Sequence, residues 1–221
     1  MEMIQPHTLA IDSSTSVLRV GISLENGEVL SLENKDRYRH AEFVFRLIND
    51  LFDKSGIDKF HLKAIVVSIG PGSFTGLRVG MASAKGMAAS MNIPLVGIST
   101  YSAVAPRLFA RFGRTAVLIP SRRDEYYFGL VDSAEFADES ISIIRPEKLE
   151  AIDSETDLWG VDFDVTRLGQ TRFRIITPTE FEISIRDFLA PGEARLKESG
   201  GDDISSLEPL YIQNFPAGTS P

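Results

Sequence analysis

A short polar turn between two apolar segments contains the first residues whose types suit chemistry. Residues 12–16 read DSSTS and separate apolar residues 8–11 from the alternating segment 17–24. Backbone N–H groups and small hydroxyls in such a turn can hold an anion, and a carboxylate there can hold a magnesium ion through water. An ordinary Asx-type turn is the commoner interpretation, because these residue types occur in turns of every kind. The candidate cofactor-binding residues of this polar turn are Asp12, Ser13 and Ser14.

A glycine-rich segment, residues 70–80 (GPGSFTGLRVG), links a buried strand to a helix. Glycine permits positive φ, and the start of a helix presents free N–H groups to an anion. The segment lacks the lysine of a Walker loop and the spacing of a GxGxxG fingerprint. Gly70, Gly72 and Ser73 are therefore candidates for contact with phosphate. The alternative is a plain strand-to-helix turn in which Ser73 is the N-cap.

The helix that follows carries four small residues at successive i+4 positions, namely Gly76, Gly80, Ala84 and Ala88. Such a line permits close approach of another element. Each glycine inside a helix costs about 0.8–1.0 kcal/mol relative to alanine, so the two glycines need a reason. Spacing alone does not decide between packing on the chain's own sheet and contact with another chain.

A third polar segment, residues 121–127 (SRRDEYY), pairs two arginines with two tyrosines. Arg122 and Arg123 beside aromatic rings could bind phosphate or a base. The neighbouring Asp124 and Glu125 largely neutralise the pair, which favours a solvated hairpin turn.

The residue types predict no catalytic and no metal-ligating residue. The absence of cysteine removes thiolate nucleophiles, disulfides and cysteine-based metal sites. His7, His40 and His61 lie far apart, and His40 is predicted to be a capping or surface residue. No serine lies in a G-x-S-x-G elbow.

The length and net charge of the chain limit the classes of protein to which it can belong. The 221 residues suit one domain or two small lobes, and the net charge of −8 without a basic run argues against direct, non-specific nucleic-acid binding. No stretch approaches the roughly 20 apolar residues that span a bilayer, and the first residues do not resemble a secretory signal. We therefore expect a cytoplasmic protein with no membrane contact.

The elements that position these residues are clearest in the first half. An Asn-Gly turn cue and the change from two-residue to three- and four-residue periodicity predict an antiparallel sheet that becomes parallel, with two helices. Gly56 is expected to end the first helix. The predicted strands are residues 8–11, 17–24, 29–34, 64–69 and 95–98, and the helices are 41–54 and 74–90.

The second half is predicted to contain a hairpin, two further strands and a short helix. The hairpin strands are 116–120 and 126–131, followed by strands 140–144 and 157–161, the helix 183–189 and an extended tail at 207–212.

Several segments together resemble the TsaB (YeaZ) family. They are LAIDSSTSVLRVGIS, RHAEFVFRLINDL, VSIGPGSFTGLRVGMASAKGMA, SRRDEYYFGL and LEPLYI, and the resemblance covers most of residues 8–131. It implies an α/β, actin/Hsp70/sugar-kinase-like (ASKHA) fold of two related lobes with mixed sheets flanked by helices. Residues 1–103 would form the N-terminal lobe with the glycine-rich motif and two interface helices. Residues 104–221 would form a degenerate C-terminal lobe and tail.

The resemblance also implies a function. TsaD transfers a threonylcarbamoyl group to adenosine 37 of tRNAs that read ANN codons, and TsaB supports TsaD together with the ATPase TsaE. We therefore expect a non-catalytic subunit that binds TsaD, forms a homodimer when alone and meets tRNA only indirectly. We expect that no cofactor is required. Binding of ATP or ADP with magnesium at an interface site is the alternative.

The sequence departs from the relatives at two places. TsaD-like sequences carry two metal-binding histidines four residues apart after the strand at 95–98, where this chain has Thr100 and Val104. This argues against a catalytic TsaD and against a peptidase. Residues 158–162 hold one glycine where related kinases have a glycine-rich adenosine-binding turn. The alternative function is an ATP-dependent small-molecule kinase or ATPase that uses Asp12 and the glycine-rich segment.

The resemblance places the partner surface on the helices 41–54 and 74–90, packed side by side. The predicted contact residues are Phe43, Leu47, Phe74, Thr75, Gly76, Gly80, Ala84 and Ala88.

Overall fold

The protein divides into two compact units, each built on one five-stranded sheet. The computed structural model describes residues 7–37, 39–122, 124–153, 155–163, 165 and 173–212. The first unit comprises Met1–Val104 and Ile183–Pro209, and the second comprises Ala105–Glu182 and Leu210–Pro221.

The sheet of the first unit is antiparallel at one side and parallel at the other, as predicted. In the order β3-β2-β1-β4-β5, the pairs β1–β2 and β2–β3 are antiparallel and β1–β4 and β4–β5 are parallel. Gly27 has φ of 81° in the predicted Asn-Gly turn. The strands are β1 (His7–Asp12), β2 (Leu18–Ser23), β3 (Val29–Asn34), β4 (Leu62–Gly70) and β5 (Leu95–Ser99).

Two helices cover one face of this sheet and pack against each other. They are α1 (His40–Ser55) and α2 (Phe74–Met91), close to the predicted bounds. Gly56 ends α1 in the left-handed conformation, and its N–H donates to the Phe52 carbonyl, as expected. The core beneath consists of alternate strand residues and the buried stripes of both helices, among them Leu9, Ile11, Val20, Ile65, Val67, Val44, Leu51, Met81 and Ala84.

The opposite face of the sheet is covered by a helix from the end of the chain, α4 (Ile185–Ser199). A Cβ on Gly21 would lie 2.6 Å from Ile185 Cγ2, and a Cβ on Gly192 would collide with Val66. These two glycines therefore let the helix and the sheet approach closely. The sequence predicted only a short helix at 183–189 and placed it in the C-terminal lobe. Instead, α4 has 15 residues and belongs to the first unit.

The edge strand β5 is closed by the segment that follows α4. The Asp202 N–H donates to the Leu95 carbonyl (2.8 Å), and the Asp202 carboxylate accepts from the Gly97 N–H (2.8 Å). Arg195 donates to the Gly97 carbonyl at 2.7 Å. One backbone N–H and two side chains thus occupy backbone groups of β5 that would otherwise be open to strand addition.

The second unit repeats the strand order of the first. Its order is β10-β9-β6-β7-β8, with the β6–β7 and β7–β8 pairs antiparallel and the β6–β9 and β9–β10 pairs parallel. The predicted hairpin is confirmed. A short 3₁₀ segment, Pro146–Ala151, stands between β8 and β9 where the first unit has α1. The strands are β6 (Thr115–Pro120), β7 (Tyr126–Val131), β8 (Ser142–Ile144), β9 (Asp157–Gly160) and β10 (Ile175–Ile176).

The helix α3 (Thr100–Phe112) was not predicted, and the division between the units falls within it. Residues 207–212, predicted to be extended, contain neither helix nor strand.

Candidate functional site

The polar turn and the glycine-rich segment lie against each other. They follow β1 and β4, which are parallel neighbours, so their carboxyl ends meet at one edge of the sheet. The Ser73 N–H donates to the Ser14 carbonyl at 2.7 Å, and the Ser13 N–H donates to Ser68 Oγ at 3.0 Å. The tertiary structure thus brings together the two segments that the sequence singled out separately.

The glycines serve this close approach. A Cβ on Gly72 would lie within 3.0 Å of the Ser14 carbonyl, and one on Gly76 within 3.0 Å of the Ser13 carbonyl. Gly70 has φ of 93°, and a Cβ there would lie 2.6 Å from Leu77 Cδ1. Side chains at positions 72 and 76 would push the two segments apart, whereas one at position 70 would collide with Leu77 within the glycine-rich segment.

Two N–H groups at the start of α2, those of Ser73 and Gly76, donate to oxygen atoms of the chain. Ser73 is the N-cap, as the alternative interpretation proposed, and its Oγ accepts from the Gly76 N–H at 3.2 Å. The Ser73 N–H itself donates to Ser14. Two donors that an anion would need are therefore already paired.

The Asp12 carboxylate is fully buried and accepts hydrogen bonds on both oxygens. Its Oδ1 accepts from the N–H (2.9 Å) and Oγ (2.7 Å) of Ser14, which is an Asx-type turn. Its Oδ2 accepts from Arg19 Nη1 at 3.2 Å. Ser13 and Ser14 are buried as well.

Arg19 is the residue of this site that sequence reasoning missed. It lies on β2 directly opposite Asp12 of β1 and also directly opposite Glu33 of β3. Its Nη1 also donates to Thr15 Oγ1 at 2.9 Å. The signal was available, because the Asn-Gly turn sets the register of the hairpin that pairs Arg19 with Glu33.

His40 also belongs to this site, although it was predicted to be a capping or surface residue. It is buried at the first position of α1, and its Nε2 lies 2.9 Å from the Thr15 carbonyl. The polar turn therefore holds the start of α1 in place.

The line of small residues on α2 faces the chain's own sheet. Gly76 and Gly80 are buried, and Ala84 and Ala88 have no exposed surface. A Cβ on Gly80 would collide with Ser13 Oγ. The prediction that this line contacts a partner is wrong, and the alternative of close packing within the chain is right.

The two residues predicted on α1 are also less accessible than expected. Leu47 packs in the core and is only 9% exposed, which leaves little of it for contact with a partner. Phe43 is half-buried, and its ring lies 5.0 Å from the Arg39 guanidinium and 5.9 Å from that of Arg46. Arg39 also donates to Glu42 (2.6 Å), and this hydrogen bond lowers the pKa of that carboxyl from its usual value.

The solvent-exposed faces of α1 and α2, called the outer face below, carry two exposed phenylalanines. Phe45 of α1 is 52% exposed and Phe74 of α2 is 56% exposed. The Arg78 guanidinium lies 3.9 Å from the centre of the Phe74 ring. Thr75 is exposed beside it, as a predicted contact residue should be. Ala82, Gly86 and Ala89 continue this exposed face along α2, and neither they nor Phe45 were among the predicted contact residues.

The positions expected to bind metal in TsaD-like sequences carry no ligands here. Thr100 and Val104 are buried in the first turns of α3, and Thr100 Oγ1 donates to the Pro71 carbonyl at 2.9 Å. Within the part of the chain that the structure describes, no group of three or more histidine, aspartate and glutamate side chains could hold a metal ion.

The turn after β9 in the second unit is filled by the chain's own side chains. A Cβ on Gly160 would collide with Val165 and Phe163.

In the SRRDEYY segment, Arg122 is exposed and Arg123 lies outside the described residues. Burial and the nearby Asp124 raise the pKa of Tyr126.

Across the described ranges, no helix has the length and apolar character needed to cross a membrane.

Two units with sheets of the same strand order and directions define the actin/Hsp70/sugar-kinase-like class of fold. The structure of YeaZ from Pseudomonas aeruginosa superposes with a TM-score of 0.78 at 24% identity, over 94% of this chain and 100% of that one. The ethanolamine utilization protein EutJ from Carboxydothermus hydrogenoformans gives a TM-score of 0.50 at 10% identity, over 87% and 90% of the two chains.

Sequence comparison narrows this class. Residues 35–184 match the family described as TsaD, tRNA N6-adenosine threonylcarbamoyltransferase. The tRNA threonylcarbamoyladenosine biosynthesis protein TsaB of Escherichia coli is 24% identical over 93% of this chain and 94% of its own length. The protein of the same name from Haemophilus influenzae is 32% identical over 56% of this chain, and the match spans about half (52%) of that protein. The chain belongs to this TsaD-related family and, within it, to the TsaB (YeaZ) group.

Proposed function

We propose that this chain is a non-catalytic subunit required for threonylcarbamoylation of adenosine 37 in tRNA, and that it acts by binding TsaD. The observation that carries the proposal is the pair Thr100 and Val104. In a chain of the TsaD-related family, they stand where a catalytic member would need two metal ligands, and both side chains are buried. The E. coli relative, which matches nearly the whole chain, is named for biosynthesis of this modified nucleoside.

The outer face of α1 and α2 is the surface we propose for TsaD. Exposed aromatic rings such as Phe45 and Phe74 are the side chains that most often anchor an interface. Around them, Glu42, Arg46 and Arg78 supply the polar rim that interfaces usually have. The small residues Ala82 and Gly86 let a partner helix come close to α2. In this proposal the same face forms a homodimer when TsaD is absent, TsaE joins the complex, and tRNA is met only indirectly.

We also propose that the chain itself requires no cofactor. The Asp12 carboxylate, the Ser73 N–H and the Gly76 N–H are paired within the protein, which weighs against magnesium with ATP or ADP at this turn. The same geometry offers no support for the alternative ATPase or kinase function.

Depletion of the protein tests the function directly. We expect threonylcarbamoyladenosine in total tRNA, measured by mass spectrometry of nucleosides, to fall and to return when the wild-type gene is supplied. A variant that folds but does not bind TsaD should fail to restore the nucleoside. Unchanged nucleoside levels after depletion would reject the proposed function.

Phe74→Ala tests the proposed surface. The loss of an anchor ring should weaken binding to purified TsaD by about 30-fold or more, since anchor residues contribute roughly 2 kcal/mol or more. The melting temperature should change little because the ring is 56% exposed. Phe60→Ala is the matched control. Phe60 is 74% exposed in the turn Lys59–His61 outside both helices, so its loss should leave TsaD affinity unchanged. Equal affinity of the Phe74→Ala and wild-type proteins in calorimetry would contradict the placement.

A further inference from the structure

Three charged side chains stand in register across the three antiparallel strands of the first unit. Asp12 of β1, Arg19 of β2 and Glu33 of β3 are directly opposite one another. Arg19 Nη1 lies 3.2 Å from Asp12 Oδ2, and Arg19 Nε lies 3.6 Å from Glu33 Oε1. Asp12 has no exposed surface and Arg19 is 3% exposed, whereas the Glu33 side chain is 38% exposed. The arginine is thus the counter-charge of a fully buried carboxylate.

The residues around Asp12 do not fit the magnesium ion that its position in this fold class suggests. Magnesium keeps several of its waters and binds carboxylates through octahedral geometry, so it needs an open carboxylate oxygen and space for water. Asp12 Oδ1 already accepts two hydrogen bonds from Ser14, and Oδ2 faces the guanidinium of Arg19. The buried carboxylate offers no surface to a hydrated ion.

We infer that Arg19 is a built-in cation that takes the place of a divalent metal at Asp12. An ionised carboxylate inside a protein requires a positive partner, and the guanidinium meets that need without any ligand from solution. The same Nη1 donates to Thr15 Oγ1, and the Thr15 carbonyl is bonded by His40 at the start of α1. The arginine therefore holds the polar turn and, through it, the first residue of α1. The inference predicts that the first unit needs neither metal nor nucleotide for its stability.

Thermal melting of the full chain with and without millimolar MgCl₂ tests this inference, with NaCl at equal ionic strength as reference. The wild-type melting temperature should not respond to magnesium. Arg19→Ser should lower it by about 6–20 °C, the range expected for an unpaired buried charge in a chain of this size. Magnesium should then recover part of the loss, because the vacated space and the freed carboxylate oxygen admit a cation. Manganese binding followed by electron paramagnetic resonance should likewise appear in this variant and not in the wild-type protein.

Two further variants cover the case in which Arg19→Ser does not fold. Arg19→Gln removes the charge but keeps most of the volume and a donor for Thr15, so it should show the same magnesium response with a smaller initial loss. The double variant Asp12→Asn with Arg19→Gln has no carboxylate and should show no response. The inference is overturned if magnesium stabilises the wild-type protein. It is equally overturned if loss of the Arg19 charge leaves the melting temperature unchanged, or if magnesium restores nothing in either single variant.

Discussion

Ala82→Trp should abolish binding to TsaD while the melting temperature stays near that of the wild type. Ala82 lies on the exposed side of α2, on the outer face that also carries Phe74. An indole at this position would hold a partner helix away from α2, because close helix packing depends on small side chains at the contact. It would meet no atoms of its own chain's core. Affinity measured by calorimetry and stability measured by thermal melting separate the two effects.

Ala84→Trp is the matched control, since it places the same bulk two residues along the same helix. Ala84 is fully buried against the sheet, in the core that contains Ile11 and Val67. Added volume in a packed core costs about 1–3 kcal/mol even for extra methylenes, and an indole adds far more. We expect this variant to unfold or to accumulate in insoluble form. A soluble Ala84→Trp protein that had lost only TsaD binding would show that the buried line of α2, and not the outer face, meets the partner.

Gly76→Ala should lower the free energy of unfolding by about 1–3 kcal/mol, or more if the strand ends cannot move. The new Cβ would lie within 3.0 Å of the Ser13 carbonyl, which is backbone of β1's own turn and cannot rotate away. The polar turn and the start of α2 would have to separate, and the hydrogen bond from Ser73 N–H to Ser14 would lengthen. Urea unfolding followed by circular dichroism gives the measurement.

Gly86→Ala is the corresponding control in the same helix. A Cβ at Gly86 has no neighbour within 4 Å, so alanine meets open space there. Because alanine is the better helix former and restricts the unfolded chain, stability should rise by about 0.4–1 kcal/mol. If both substitutions had the same effect, the role assigned to Gly76 in close packing would be wrong.

Local features of the first unit were predictable because each depends on residues near one another in sequence. The Asn-Gly turn, the end of α1 at Gly56 and the N-cap Ser73 all follow from backbone preferences of single residues. The bounds of α1 followed from its periodicity, since apolar residues form one face and charged residues the other. The Asx-type turn at Asp12 needs only a carboxylate two residues before an N–H.

The contact residues predicted on α2 fall mostly on its buried side, because α2 has no such contrast between its two sides. Its buried line consists of Gly76, Gly80, Ala84 and Ala88, while its outer face carries Ala82, Gly86 and Ala89. Because both sides of α2 carry small residues, the pattern of apolar and polar residues does not indicate which side is buried. Only the packing of α2 on β1 and β4 decides which line is buried.

Long-range placement likewise came only from the tertiary structure. The helix α4 lies more than 80 residues after β5, yet it covers the first sheet, because Gly21 and Gly192 leave room for that contact. By itself, the sequence determined the family, the polar turn and the order of strands and helices from β1 to β5. The tertiary structure decided that this turn is closed by Arg19. The Asn-Gly turn sets only the pairing of Arg19 with Glu33, and the pairing of β1 with β2 is what places the buried Asp12 carboxylate opposite that arginine.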